Sequence, residues 1–222
     1  MASLALHALL AILPWPVRRW LLCRLFGYRI HPTARIGLSL ICPRTLTMEA
    51  HSYIGHLTVV RGIESLSLGL SARLGNLNWV SGVPAQAGRH FHQELNRSPQ
   101  LVLEEHSAVT HRHHIDCTDA VRIGRFTTVA GWGTQILTHA IDLQENRQSC
   151  APVSIGPYCF VGTRSVILKG VSIADRCVLA AGAVASNSLP TPLRIYGGVP
   201  AKDVGSLSEE AKYLHRGVGR VD

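Results

Sequence analysis

The chain has 222 residues, of which 46% are hydrophobic but only 6% aromatic, and it carries a formal net charge of +8. That length suits one domain with appendages and is enough to bury a sizeable core. The positive balance asks for an anionic partner, but Lys and Arg are scattered, with no basic block and no interleaved aromatic platform, which argues against nucleic acid.

Residues 1–29 stand apart as an apolar, then basic and aromatic segment. The first apolar run ends at Pro14, short of the roughly twenty residues that span a bilayer. Arg18, Arg19 and Arg24 follow the run, whereas a signal peptide carries its positive charge ahead of it. The segment is expected to be an uncleaved amphipathic helical stretch. Trp15, Trp20, Leu21, Leu22, Leu25 and Phe26 among arginines suit either the surface of an anionic membrane or docking on the body of the protein.

From residue 30 an apolar residue recurs every six positions, at Ile30, Ile36, Cys42, Met48, Ile54, Val60 and Leu66. Six is neither the period of a helix nor that of a strand with one wet face, so it is read as a repeat. The step lapses over 79–100, which is rich in Gly, Pro and charge and is expected to project as a loop. It resumes at Leu103, Val109, Ile115 and Val121 and, after a slip of two, at Ile123 and Val129. A second polar break runs from 140 to 152.

The pattern is clearest at Ile155, Val161, Ile167, Ile173 and Leu179, where the fifth place of each unit (Cys159, Ser165, Val171, Cys177, Ala183) is small or thin. One large inward residue and one small corner residue per unit describe three short strands closing a triangular coil of about eighteen residues, stacked at roughly 4.8 Å. The prediction is a parallel β-helix over 30–205. After Pro190 and Pro192 comes the segment RIYGGVPAKDVG, and the Ser-x-x-Glu start of SLSEEAKYLHR predicts a short capped helix in the 206–222 tail. The six cysteines form no CxxC pair. Cys42, Cys159 and Cys177 fall on small apolar slots, so reduced core thiols and a cytoplasmic location are expected.

The hexapeptide runs, the THAIDL segment before a polar loop, the return PVSIGPYCFVGTRSVILKGV and the closing YGGVPAK resemble the hexapeptide-repeat acyltransferases, within them the galactoside, maltose and colanic-acid type of acetyltransferase. The likeness is strong over about 103–205 and weaker over 30–78. It implies a left-handed coil, a hand that the spacing alone does not fix, and a homotrimer with its donor groove between neighbouring prisms. It also implies transfer of an acetyl group from acetyl-CoA to a hydroxyl of a sugar or glycan.

Such a transfer needs a base near neutral pKa, and His139 stands at the mouth of the second loop, where the resembled enzymes place theirs. Asp142, His114 and Asp116 are candidates to orient that imidazole or to bind the acceptor. Carried over by motif, Gly162, Thr163, Ala181, Ser186 and Lys202 fall at donor-contacting places. Two departures stand out: Phe160 replaces a frequent Trp, and SNSLP offers Asn187 where a cation is usual, shifting phosphate contact toward Lys202 or Arg194.

Two other readings use the same prism. One is a zinc hydratase of the γ-carbonic-anhydrase kind, for which the pairs His51/His56 and His106/His111 have ligand-like spacing but lack a third histidine in register. The other is a scaffold without activity. The expectation is therefore no metal, acetyl-CoA as co-substrate, and a peripheral membrane contact through 1–29.

Overall fold

The computed structural model describes residues 2–85, 91, 93, 94 and 96–221. Three parallel sheets run the length of the body and form the faces of a triangular prism. Each coil visits the faces in the same order, as in Thr45–Met48, Tyr53–Ile54 and Val59–Arg61, and the next coil pairs with it in register. This is a left-handed parallel β-helix.

The sequence column becomes the core. Ile36, Ile54, Leu74, Val109, Val129, Val161 and Leu179 line the second face, and Ile41, Val60, Val80, Ile115, Ile136 and Ile167 the third, all buried. The small fifth-place residues from Cys159 to Ala183 are buried at the corners, as the period requires. Two details of register differ from the strict six-step. Ile41, not Cys42, points inward, and Cys42 lies half-buried beside it. The slip at Val121 to Ile123 is a structural feature: first-face strands turn two alternate side chains inward per coil (Leu46 and Met48, Leu66 and Leu68, Leu101 and Leu103, Val121 and Ile123). The coils from Leu46 to Leu66 and from Leu101 to Val121 are two residues longer than the eighteen between Ile155 and Ile173.

The corner between the second and third faces is held by an internal polar ladder. Ser39 Oγ accepts from Thr58 N–H, Thr58 Oγ1 from Asn78 N–H, Asn78 Oδ1 from His113 N–H, and His113 Nδ1 from Thr134 N–H. Buried polar groups cost little only when partnered in this way. The outer tip of the same corner carries Leu57, Leu77, Arg112 and Arg164 with φ near +55 to +59°. That conformation is unfavourable for a side chain with a Cβ and is imposed by the coil's need to turn.

The N-terminal segment is two helices, α1 (Ala2–Ala11) and α2 (Trp15–Phe26), divided at Pro14. They cap the first coil, which has no preceding coil to pair with. Arg18 donates to the Gly37 and Ser39 carbonyls at 2.7 Å each, Arg19 donates to the Ile30 carbonyl at 2.8 Å, and Leu10 and Leu22 bury against the core.

The first loop is shorter than expected. Trp79–Ser81 is a third-face strand with Val80 in the core, so the excursion runs from 82 to 99, of which 86–90, 92 and 95 lie outside the described residues. The second loop is a β-hairpin, His139–Asp142 against Arg147–Cys150. In the tail, Ser206 ends the last strand instead of capping a helix, and only a 3-10 turn, Lys212–His215, forms. The tail runs back along the prism, with Tyr213 OH donating to the Cys159 carbonyl at 2.8 Å and Gly219 N–H to His106 Nδ1 at 3.3 Å. Among the described residues no helix is long and apolar enough to cross a membrane.

Candidate active site

Asp116 ends a third-face strand, and His139 begins the hairpin one coil later. Stacking brings them together although 23 positions separate them. His139 Nδ1–H donates to Asp116 Oδ2 at 2.7 Å, and the His139 backbone N–H reaches the same oxygen at 3.1 Å. The carboxylate is held from every side. Thr138 N–H and Oγ1–H approach Oδ2 at 2.8 and 2.9 Å, while Thr118 N–H and Oγ1–H approach Oδ1 at 3.1 and 2.7 Å.

The electrostatics follow from this geometry. Burial pushes the Asp116 carboxyl upward, but the hydrogen bonds from His139, Thr118 and Thr138 outweigh it and hold the group down at about 2. The hydrogen bond to Asp116 raises the His139 imidazole above its ordinary value against an opposing effect of burial. An ionised carboxylate only accepts, so Nδ1 carries the hydrogen and Nε2 keeps its lone pair. With 40% of the His139 side chain exposed, that nitrogen is available to a ligand.

The 82–99 excursion walls the site. Phe91 meets the His139 ring edge to face at 6.1 Å, and the Arg97 guanidinium stacks 4.8 Å from the Phe91 ring. Arg97 donates to the Val83, Pro84 and Thr118 carbonyls, pinning the excursion to the coil that carries Asp116. Gln93 accepts from Arg147 and ties the excursion to the hairpin. Cys150 faces His139 across the hairpin, but burial, then the charges of Asp119 and Glu94, push its thiol up to about 11, so it is no thiolate nucleophile at neutral pH.

Other residues singled out in the sequence fall elsewhere. Asp142 does not touch His139; it closes the hairpin tip, its Oδ1 accepting from the N–H groups of Gln144 and Glu145. His114 stands exposed on the outer third face between Trp79 and Gln135. Its neighbour His113 is a ladder member that burial pushes down to about 4. Gly162, Thr163 and Ala181 stack at the corner before the third face, where a Cβ on Gly162 would come 2.5 Å from Ala181 N. Ser186 follows the last third-face strand, and Lys202 begins the last strand of the chain. In one chain the Gly162 corner and His139 therefore lie at opposite ends of the third-face strands. Arg194 is committed to a two-pronged pair with Asp203 at 2.6 and 2.7 Å.

The histidines at the outer corners have partners of their own. His56 Nδ1 accepts from Leu38 N–H, His111 Nδ1 from Asn76 N–H, and His106 stacks on Phe126. Among the described residues no group of three or more His, Cys, Asp or Glu converges as a metal site.

The family model described as the hexapeptide repeat of succinyl-transferase matches residues 152–185. The chain's relatives include the galactoside O-acetyltransferase of Escherichia coli strain K12, 26% identical over 168 residues, or 72% of this chain and 76% of the relative. Among solved structures, a mutant of the N-acyltransferase AntD from Bacillus cereus, in complex with dTDP and coenzyme A, is similar in fold with a TM-score of 0.58 at 13% identity, covering 89% of this chain and 92% of that one. AntD with dTDP and 3-hydroxybutyryl-CoA gives 0.56 at 14% identity, covering 82% and 87%.

Proposed function

We propose that the protein is a CoA-dependent O-acetyltransferase that moves an acetyl group from acetyl-CoA to a hydroxyl of a sugar or glycan, with His139 as general base. The observation that carries the reading is the His139–Asp116 pair, with Nδ1 locked on a buried carboxylate and Nε2 open at the mouth of the hairpin. Nε2 takes the acceptor proton as its oxygen attacks the thioester carbonyl. The tetrahedral adduct collapses, and the imidazolium returns the proton to the departing CoA sulfur. Asp116 keeps the tautomer and stabilises the imidazolium that forms between the two steps. The galactoside O-acetyltransferase relative and the CoA-bound AntD structures support a CoA donor and a sugar acceptor.

Gly162, Thr163, Ala181, Ser186 and Lys202 are assigned to the donor, with Lys202 taking a phosphate. Phe91 provides an apolar wall for the acceptor ring. Because the donor corner and His139 stand apart within one chain, the working site is assigned to a homotrimer in which one subunit's corner faces the next subunit's base. The exposed ridge of Leu57, Leu77 and Trp132 beside that corner supports such burial. A cytoplasmic location at the inner face of the membrane goes with this reading and with the six free thiols.

The test is titration calorimetry with acetyl-CoA on metal-free protein, with elemental analysis of the protein as isolated, light scattering for subunit number and mass spectrometry of sugars after incubation. Micromolar CoA binding by a trimer and a sugar gaining one acetyl group are expected. Absence of CoA binding, with one zinc recovered per chain, overturns the reading.

A further inference from the structure

The N-terminal cap is used on one side only. Toward the prism, α1 and α2 bury His7, Leu10, Arg18 and Leu22. Elsewhere on the cap, Leu9 is 65% exposed and Trp20 62%, with Val17 and Leu25 exposed alongside. Val17, Trp20 and Arg24 recur at three- and four-residue steps and so share one stripe of α2, with Leu25 flanking it. Exposed apolar residues gathered on the two-helix cap mark a contact site.

The charge around it names the contact. No Asp or Glu occurs before Glu49, whereas six arginines do (18, 19, 24, 29, 35 and 44). Arg18 and Arg19 spend their guanidinium groups on first-coil carbonyls, but Arg24 and Arg29 are exposed beside the apolar stripe. A second copy of this face would set arginines against arginines with no carboxylate to answer them. An anionic headgroup layer answers them directly.

We infer that the cap seats the protein on an anionic phospholipid surface, α1 and α2 lying in the plane of the headgroups with Leu9, Trp20 and Leu25 in the acyl boundary. Helices of 10 and 12 residues are too short to cross, so the contact is peripheral. The prism then rises from the bilayer. The docking is independent of the acyl-transfer reading, but together they narrow the acceptor. His139 leaves the fifth coil, four coils above the first, so with the thickness of the helical cap it stands roughly 30 Å from the surface, in reach of a glycan carried on a lipid.

The experiment is flotation of the full chain with vesicles of phosphatidylcholine alone or with 30% phosphatidylglycerol, at low and high salt. The expected result is capture by the anionic vesicles at low salt, release at high salt and no capture by phosphatidylcholine. The triple variant Leu9→Ser, Trp20→Ser, Leu25→Ser should lower the captured fraction at least tenfold while keeping the wild-type circular dichroism melt. Equal capture of variant and wild type, or none of either, overturns the inference. So does a loss of subunits from the variant's assembly in light scattering, which would make the face an interface between copies. Acetyl transfer to a soluble sugar without vesicles is measured in parallel, so failure of docking and failure of the chemistry are read separately.

Discussion

Replacing Asp116 by Asn keeps the size of the side chain and removes the charge that the imidazole leans on. The carboxylate receives donors from Thr118, Thr138 and His139 on both oxygens. An amide offers only one acceptor oxygen and turns an NH2 group toward some of those donors. A hydrogen bond to a charged partner contributes about 1.5–3 kcal/mol. If it is lost chiefly in the transition state, where His139 is cationic, kcat falls roughly 10- to 150-fold. The pH profile separates this from simple misfolding. As the proposed base, His139 would act unprotonated, and Asp116 raises its pKa, so wild-type kcat/KM is expected to climb with pH through a value above 6.5 and then level. Without the carboxylate that rise moves to lower pH. Asp116 itself, held at about 2, stays ionised throughout the range and adds no limb of its own. Steady-state rates from pH 5 to 9, with a melting curve for each variant, make the measurement. A variant with wild-type kcat and an unmoved acid limb would refute the orienting role.

Lys202→Ala should weaken acetyl-CoA binding more at low than at high salt, as a screened phosphate contact requires; titration calorimetry at two ionic strengths checks it. Phe91→Ala should raise the KM for the sugar several-fold with little change in the Kd for acetyl-CoA, measured by rates over a range of acceptor. Ile54→Ala removes a fully buried second-face residue and should cost about 2–5 kcal/mol of stability by denaturant unfolding. Asp142→Ala should leave kcat within about twofold, since its carboxylate closes the hairpin tip and does not reach the base.

The prism was readable because its geometry repeats in the residues: a corner every six positions demands a small side chain, and each strand one aliphatic. What the period could not convey is that a first-face strand buries two side chains, so the slip at Val121 looked like an interruption when it was the rule for that face. The place of His139 at the start of the hairpin was legible from the THAID context. Its partner was harder to choose, since Asp142 is three residues away in sequence while Asp116 is one coil away in space. Asp142 was explained by turn chemistry, Asp being favoured where a side chain accepts from the next backbone N–H groups. Phe91 and Arg97 carried no signal, because an excursion without a period offers no way to say which side chain turns back over the site. The cap was legible as helical and cationic, but not as the group that satisfies the first coil's open carbonyls.

The central claim is that His139 is the base of an acyl transfer from CoA, and its most direct test is the turnover of His139→Ala beside its affinity for acetyl-CoA. Transfer to a sugar acceptor should drop by about a hundredfold or more while the Kd for acetyl-CoA stays near wild type. Undiminished transfer by the variant would contradict the account.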